Sequence, residues 1–356
     1  EDARRTYAAG ARTWQFTEPL LADGHEVLLV GQRLFGAYPE GLPNETLVRN
    51  EPGFLYRSVI PEVFQRPGYL RCLSDEFEPD AVIYPHASAS FGSRWLAPEQ
   101  PVWIDINGHL MTEAQAKAAV HPEGDHLTAY WQLTAELLLR GDRFSAVSER
   151  QRWAVVGQLG LAGRLNRETS GEELVYTVPV SVAAERRGAA PADDFAESDF
   201  VVLWSGGYNT WCDVENLFRA LEIAMADNAA IRFVSTGAGI EGQDVATYRR
   251  FEELVAGSRF RSRMRLLGRL PERQAARYFA RADLGVVTEK PIYERALGSS
   301  ARLLGWMAAG LPFVCARVSE LSVEAEAAAG MEAAEADVAL VEAGQPATFT
   351  VDAWPK

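Results

Sequence analysis

Three stretches of this chain combine residue types that bind anions or move protons. The first is Trp204-Ser205-Gly206-Gly207-Tyr208-Asn209-Thr210-Trp211-Cys212-Asp213, between the apolar run Phe200–Trp204 and a helical pattern. Two glycines at a strand's carboxyl end let the backbone approach a ligand, and the free N–H groups of the next helix attract an anion. The same letters also describe a tight strand-to-helix turn in which Asp213 caps the helix. The second stretch runs from Glu294 through Gly298-Ser299-Ser300-Ala301-Arg302. Here the hydroxyls of Ser299 and Ser300, helix N–H groups and the Arg302 guanidinium would converge on a diphosphate. Its alternative has Ser299 capping a helix and Arg302 solvated. The third, Trp103-Ile104-Asp105-Ile106-Asn107-Gly108-His109, sets polar groups at the end of an apolar strand. Asp105 and His109 are the candidate catalytic pair on this reading, with His109 able to exchange a proton near neutrality. A solvated loop histidine is the plain alternative.

Other motifs carry less. Ser148 and Gln151 fit a helix capping box, which is preferred to a catalytic serine. Eight arginines lie between Arg259 and Arg281; most are expected to be solvated. Arg269, in Leu267-Gly268-Arg269-Leu270-Pro271 at a strand's carboxyl end, is the exception and a candidate phosphate ligand. Thr236-Gly237-Ala238-Gly239 lacks the third glycine of a dinucleotide fingerprint. The only lysines are Lys117, Lys290 and Lys356, which leaves few positions for Schiff-base chemistry.

These groups need a scaffold that brings strand ends and helix starts together. Strand patterns at Glu26–Val30, Ala81–Tyr84, Val102–Ile106, Phe144–Val147 and Val175–Val178 alternate with helical ones in the first half. The alternation restarts with Phe200–Trp204, Ile231–Ser235, Met264–Leu267, Leu284–Val287 and Pro312–Ala316. This is an α/β chain of stacked βαβ units. With 356 residues, it predicts two domains: 1–182, a polar Ala/Pro linker at 183–197, and 198–356. The loop Tyr7-Ala8-Ala9-Gly10 enters a helix with only six residues before it, so the first domain is expected to lack its first strand. Gly10 is still counted among the donor-binding candidates. The Ala-rich acidic stretch from Ser319 to Pro355 reads as a solvated helical face.

Charge and composition narrow the partners. Thirty-five basic against 49 acidic residues give a net charge of −14, which argues against nucleic acid and leaves at most peripheral membrane contact. The apolar runs are too short to span a bilayer, and no signal segment is evident. Cys72, Cys212 and Cys315 form no disulfide framework or CxxC site, so a reducing cytoplasm is the expected location.

Taken together, the Gly-Gly loop, the Leu-Gly-Arg-Leu-Pro turn, Arg281-Ala282-Asp283-Leu284-Gly285 and Ala308-Ala309-Gly310-Leu311-Pro312 resemble GT-B retaining glycosyltransferases of family 4. The nearest branch carries a Trp-x-Gly-Gly-x-x-x-Trp-x-Asp loop, matched at Trp204 to Asp213, and a Glu…Arg signature, matched at Glu294 and Arg302. The Ser-Glu-Arg-Gln stretch and Leu159-Gly160…Gly163-Arg164-Leu165-Asn166 are similar to the same branch. The resemblance spans roughly Gly10 to Gly310. It implies two Rossmann-like domains facing across a cleft, with a nucleotide sugar held mainly by the second. A glycan, lipid-linked or small-molecule acceptor would lie on the first. It implies no cofactor and no metal, because N–H groups and arginine would neutralise the diphosphate. On this basis Gly10, Gly206, Gly207, Arg269, Glu294, Ser299, Ser300 and Arg302 are the donor-binding set. Two departures stand out. Leu297 and Gly305 occupy the positions of the usual glutamate pair, with Glu294 and Arg302 as substitutes. Thr210 or Trp211 replaces the usual basic residue of the Gly-Gly loop. A sugar-nucleotide epimerase on the same architecture, or a non-catalytic nucleotide- or glycan-binding relative, is the alternative function.

Overall fold

A computed structural model of the chain describes residues 8–33, 38, 40–87, 89–121, 123–124, 126–181, 189–240 and 242–328. Residues 1–7, the linker segment 183–188 and the acidic stretch from 329 onward lie outside them. In chain order the elements are α1 (Ala8–Ala22), β1 (Val27–Gln32), β2 (Glu45–Glu51), β3 (Phe54–Val59), α2 (Pro61–Phe64), α3 (Tyr69–Phe77), β4 (Val82–Tyr84), β5 (Val102–Ile106), α4 (Leu110–Val120), α5 (His126–Arg140), β6 (Arg143–Ala146), α6 (Glu149–Leu161) and β7 (Val175–Thr177). There follow β8 (Phe200–Trp204), α7 (Val214–Asp227), β9 (Ile231–Ser235), α8 (Ala246–Gly257), β10 (Met264–Leu266), α9 (Glu272–Arg281), β11 (Leu284–Val287), α10 (Tyr293–Leu297), α11 (Ala301–Ala309), β12 (Phe313–Cys315) and α12 (Glu320–Ala328). Two compact units divide the chain. One is Glu1–Met111 with Leu127–Val180, the other Thr112–His126 with Ser181–Lys356.

The second unit is built on a five-stranded parallel sheet of order β10-β9-β8-β11-β12. Its central strand β8 buries Val201, Val202, Leu203 and Trp204, as a strand covered on both faces must. Helix α7 lays Leu217, Leu221 and Met225 on this sheet, and Asp213 caps it by accepting from Asn216 N–H at 3.0 Å. Each such buried side chain contributes roughly 1.5–3 kcal/mol. The chain steps outward from β8 to β9 and β10, then returns to β11 on the other side of β8. That reversal opens a crevice beyond the carboxyl ends of β8 and β11, the usual ligand position in such sheets. Residues 191–199 are held against this unit rather than standing free. Arg265 binds Asp194, Arg277 binds Asp193, and Arg281 donates to the carbonyls of Ala196 and Asp199. These arginines were expected to be solvated; the structure gives them carboxylate and carbonyl partners.

The first unit carries two sheets. One is parallel, of order β4-β5-β6-β7; the other has order β1-β3-β2. In the second, β1 and β3 are parallel but β2 runs antiparallel to β3, which corrects the expectation of parallel strands alone. The hairpin turns at Pro52-Gly53, where Gly53 has φ +77°. The unit enters through α1, and Gly10 is an exposed residue within that helix, not part of a loop after a strand.

The core of this unit encloses a buried ion pair. Arg12 of α1 donates from Nε and Nη2 to the two carboxylate oxygens of Asp105, each at 2.8 Å, with Arg12 2% and Asp105 0% exposed. Its remaining N–H groups donate to the carbonyls of Val178 and Pro179. Ser145, beside Asp105 on β6, donates to Oδ1 at 2.6 Å. One guanidinium thus joins α1, β5 and the exit of β7. We expect Arg12→Met to lose about 3–5 kcal/mol in urea unfolding, because it strands a buried carboxylate. Arg12→Met with Asp105→Leu should regain most of that loss. Equal losses in the two proteins would mean that stem packing, not the charge pair, carries the contribution.

Candidate functional site

The Gly-Gly loop closes β8 and lies against the start of α11. Gly206 has φ +83°, and the Arg302 side chain passes 3.6 Å from where its Cβ would stand. Arg302 Nη2 donates to the Gly207 carbonyl at 2.8 Å, and the guanidinium sits 4.5 Å from the centre of the Trp204 ring. Its buried Nε–H has no partner, and among the described residues no carboxylate pairs with it. The neighbouring loop after β9 crosses so closely that a side chain at Gly237 would overlap the Gly206 carbonyl. Tyr208 stacks on Trp204 with ring centres 4.7 Å apart, and its hydroxyl donates to Ser235 Oγ at 2.9 Å. Burial in this aromatic stack raises the Tyr208 pKa, so the hydroxyl stays neutral. The loop is therefore rigid where it meets Arg302.

Ser300 is the N-cap residue of α11, and no side chain caps that helix; Ser299 is half-buried just before it. The Ser299 cap of the alternative reading is not formed. The first N–H groups of a helix have no partner within it, and here no side chain takes them. Gly206, Gly207, Ser300 and Arg302 are thus brought together around one donor-rich edge. Arg269 lies half-buried just beyond β10, two strands away from β8.

Glu294 has a different environment from the one expected of a donor ligand. It is 4% exposed and accepts from Nε and Nη2 of Arg295, its neighbour on α10. Arg295 also donates from Nη1 to Glu289 Oε1 at 3.3 Å and covers the Trp211 ring at 4.5 Å. The two carboxylates outweigh burial and raise the Arg295 pKa. Glu289 Oε2 remains buried and unpartnered at the end of β11. Half-buried Glu113, on the part of α4 that belongs to this unit, is pushed up to about 7 by burial and by the Glu294 charge. The second half of the tryptophan-rich loop is tied to β11: Asp213 N–H donates to the Thr288 carbonyl at 3.0 Å, and Lys290 Nζ to the Thr210 carbonyl at 2.8 Å. A lysine distant in sequence thereby reaches the loop that lacks its own basic residue.

The first unit separates the two expected catalytic residues. Asp105 is closed inside the Arg12–Ser145 network, with no exposed oxygen to offer a substrate; this corrects its expected acceptor-side role. His109 is 8% exposed, and burial lowers its pKa against a weaker opposing bond with Gln158, so its imidazole is neutral at pH 7. Ser148 accepts from Gln151 N–H as a capping residue does, while Gln151 Oε1 reaches back to Val147 N–H. Sequence reasoning missed Glu113, Glu289 and Arg295. Only the alternation of charges from Glu289 to Arg295 marked the last two, and nothing in that run separates buried from solvated charge; no local pattern marked Glu113. Among the described residues, no three His, Cys, Asp or Glu side chains form a metal-binding group.

No protein-family model matches the chain, and no curated protein matches it in sequence. Solved structures do match in fold. A sucrose-phosphate synthase from Thermosynechococcus elongatus superposes with a TM-score of 0.59 at 16% identity, over 88% of this chain and 76% of that one. An E. coli trehalose-6-phosphate structure bound with UDP-2-fluoro glucose gives 0.61 at 15% identity, over 92% and 85%. A trehalose-6-phosphate synthase studied for glycosyl transfer with retention gives 0.58 at 16% identity, over 92% and 84%. The chain has the two-domain Rossmann-like architecture of the GT-B glycosyltransferases.

Proposed function

We propose that the chain is a glycosyltransferase of the family 4 type, moving a sugar with retention from a nucleotide sugar to a glycan, lipid-linked or small-molecule acceptor. The observation that carries this reading is Arg302, held on the Trp204 face and the Gly207 carbonyl with a buried N–H to spare, at the uncapped start of α11. Charge develops on the diphosphate as the glycosidic bond breaks, and preorganised donors lower that barrier. The reading assigns this charge to Arg302 and backbone N–H groups, and asks for no metal or cofactor. The donor-bound solved structure at TM-score 0.61 supports a uridine nucleotide as the first donor to try.

A non-catalytic relative is favoured by one observation: Asp105 and Glu294 both have their carboxylates closed by arginine. Release of UDP from UDP-sugars, with and without acceptors, decides between these readings and the epimerase. A transferase releases UDP in an acceptor-dependent way, an epimerase converts the donor without acceptor, and a binder does neither.

Two measurements follow from the site. Arg302→Ala removes a charge-assisted contact of roughly 1.5–3 kcal/mol and should weaken UDP binding about tenfold or more. Unchanged UDP affinity in a folded variant would remove Arg302 from the donor site. Glu113 holds its proton to about pH 7 when folded, above its ordinary value near 4.5, so its contribution to stability is complete at low pH and is lost as pH rises toward and through 7. Glu113→Gln should be the more stable protein at pH 8 by a few degrees, one kcal/mol being worth roughly 2–4 °C in a unit of this size. The difference should shrink below pH 5. A melting difference independent of pH would show that Glu113 is not held protonated.

A further inference from the structure

The first unit holds a cavity of about 200 Å³ lined by Gln32, Phe64, Gln65, Phe91, Trp95 and Leu133. Its walls come from segments that follow strand ends. Gln32 ends β1, Phe64 and Gln65 follow β3, and Phe91 and Trp95 stand on the 3₁₀ turn Ala89–Trp95 after β4. β1 and β3 are parallel, so their carboxyl ends share an edge, where open α/β sheets collect ligands. Among the described residues, none that lines it is ionisable. Arg94, the nearest cation along the turn, is paired with Glu136 and lies over the Phe91 ring at 3.3 Å. The Trp95 indole N–H is buried and has no partner among the described residues.

We infer that this cavity is the acceptor subsite and that it takes a single uncharged sugar ring or polyol; the inference rests on the transferase reading above. The volume equals that of six or seven liquid waters at ~30 Å³ each and lies below the ~300–1,000 Å³ of drug-sized pockets, so one ring fits. A sugar ring offers an apolar C–H face to aromatic rings and hydroxyls to carboxamides, and the cavity provides both. A ligand hydroxyl that reached the Trp95 N–H would give it the acceptor that it lacks among the described residues, and an unmade buried bond is costly. A phosphorylated sugar is disfavoured, because a phosphate brings about −1.5 to −2 charges and no lining residue would pair with them. Gln65 is exposed and ends α2, so its side chain can select without supporting the fold.

Binding of D-glucose, D-galactose, D-mannose, N-acetyl-D-glucosamine, glycerol and D-glucose 6-phosphate to the full chain, followed by calorimetry with and without UDP, tests the inference. At least one uncharged probe should bind saturably, and glucose 6-phosphate no tighter than glucose. Trp95→Phe and Gln65→Leu, each checked by thermal melting, should weaken that binding at least fivefold. Gln65→Leu keeps the test open if Trp95→Phe fails to fold. No saturable binding of any uncharged probe, binding unchanged in the folded variants, or glucose 6-phosphate binding tenfold tighter than glucose would each overturn it. UDP binding to the native chain keeps the two readings apart. A chain that binds glucose but not UDP defeats the donor assignment alone; one that binds UDP but no uncharged probe defeats this inference alone.

Discussion

The contact of Arg302 with Trp204 and Gly207 is the constraint on which the second unit's chemistry depends. It fastens the start of α11 to the loop after β8, and the loop after β9 is packed against the same glycines from the other side. A guanidinium can do this because it is planar and weakly hydrated: one face lies on the indole while its edge still donates. Lysine in the same place would lose the stacking. The geometry also explains why the cation can remain free of a carboxylate inside a chain of net charge −14. The aromatic face and the carbonyl partly replace its water, leaving an N–H directed by packing rather than by a counter-ion.

Two buried arginines have the opposite fate, while a third, Arg33, is held by the hydroxyls of Ser58 and Thr46 and by backbone carbonyls. Arg12 and Arg295 are saturated by carboxylates, and both close off residues that looked chemically active. A buried acid near a strand end can serve chemistry or architecture. What separates the two is whether a cation is packed over it, and that cation can be the next residue, as Arg295 is to Glu294, or far away in sequence. For Asp105 the partner lies 93 residues away on α1, beyond any motif that surrounds Asp105 itself. Glu113 and Glu294 show the same limit from the other side, since their mutual repulsion arises only when α4 is folded onto α10.

What was legible in the sequence follows from how locally each feature is encoded. The parallel sheet of the second unit is buried on both faces, so β8 reads as a continuous apolar run and α7 as one stripe. Asp213 as an N-cap and Gly310 as a helix stop are set within a few residues of themselves. The β2–β3 hairpin went unseen because Glu45–Glu51 interleaves Glu, Thr, Arg and Asn with its two apolar residues, and strands half open to solvent carry a weaker signal. Pro52-Gly53 was the available clue, a turn dipeptide between two short strand patterns. That Gly206, Gly207, Ser300 and Arg302 come together was readable because a short glycine loop and a helix start are each local features. The apolar cavity of the first unit was not, because its walls come from four separated segments with no shared pattern.

On the proposed reading, the two units would meet ligands with different physics. The second offers a cation, glycine N–H groups and a helix start, which suit a ligand whose charge grows during reaction. The first offers aromatic rings and carboxamides, which suit a ligand that stays neutral. Such a division has a kinetic consequence for a transferase. Charge stabilisation at the donor acts mostly on the transition state and so on turnover. Neutral recognition at the acceptor acts on ground state and transition state alike, and so on the acceptor concentration required. Changes at Arg302 should then appear in both turnover and donor affinity, whereas changes at Gln65 should appear mainly in the acceptor KM. The asymmetry arises from placing an arginine on an indole in one unit and lining the other unit's cavity with aromatic rings and carboxamides, with no ionisable group among the described residues.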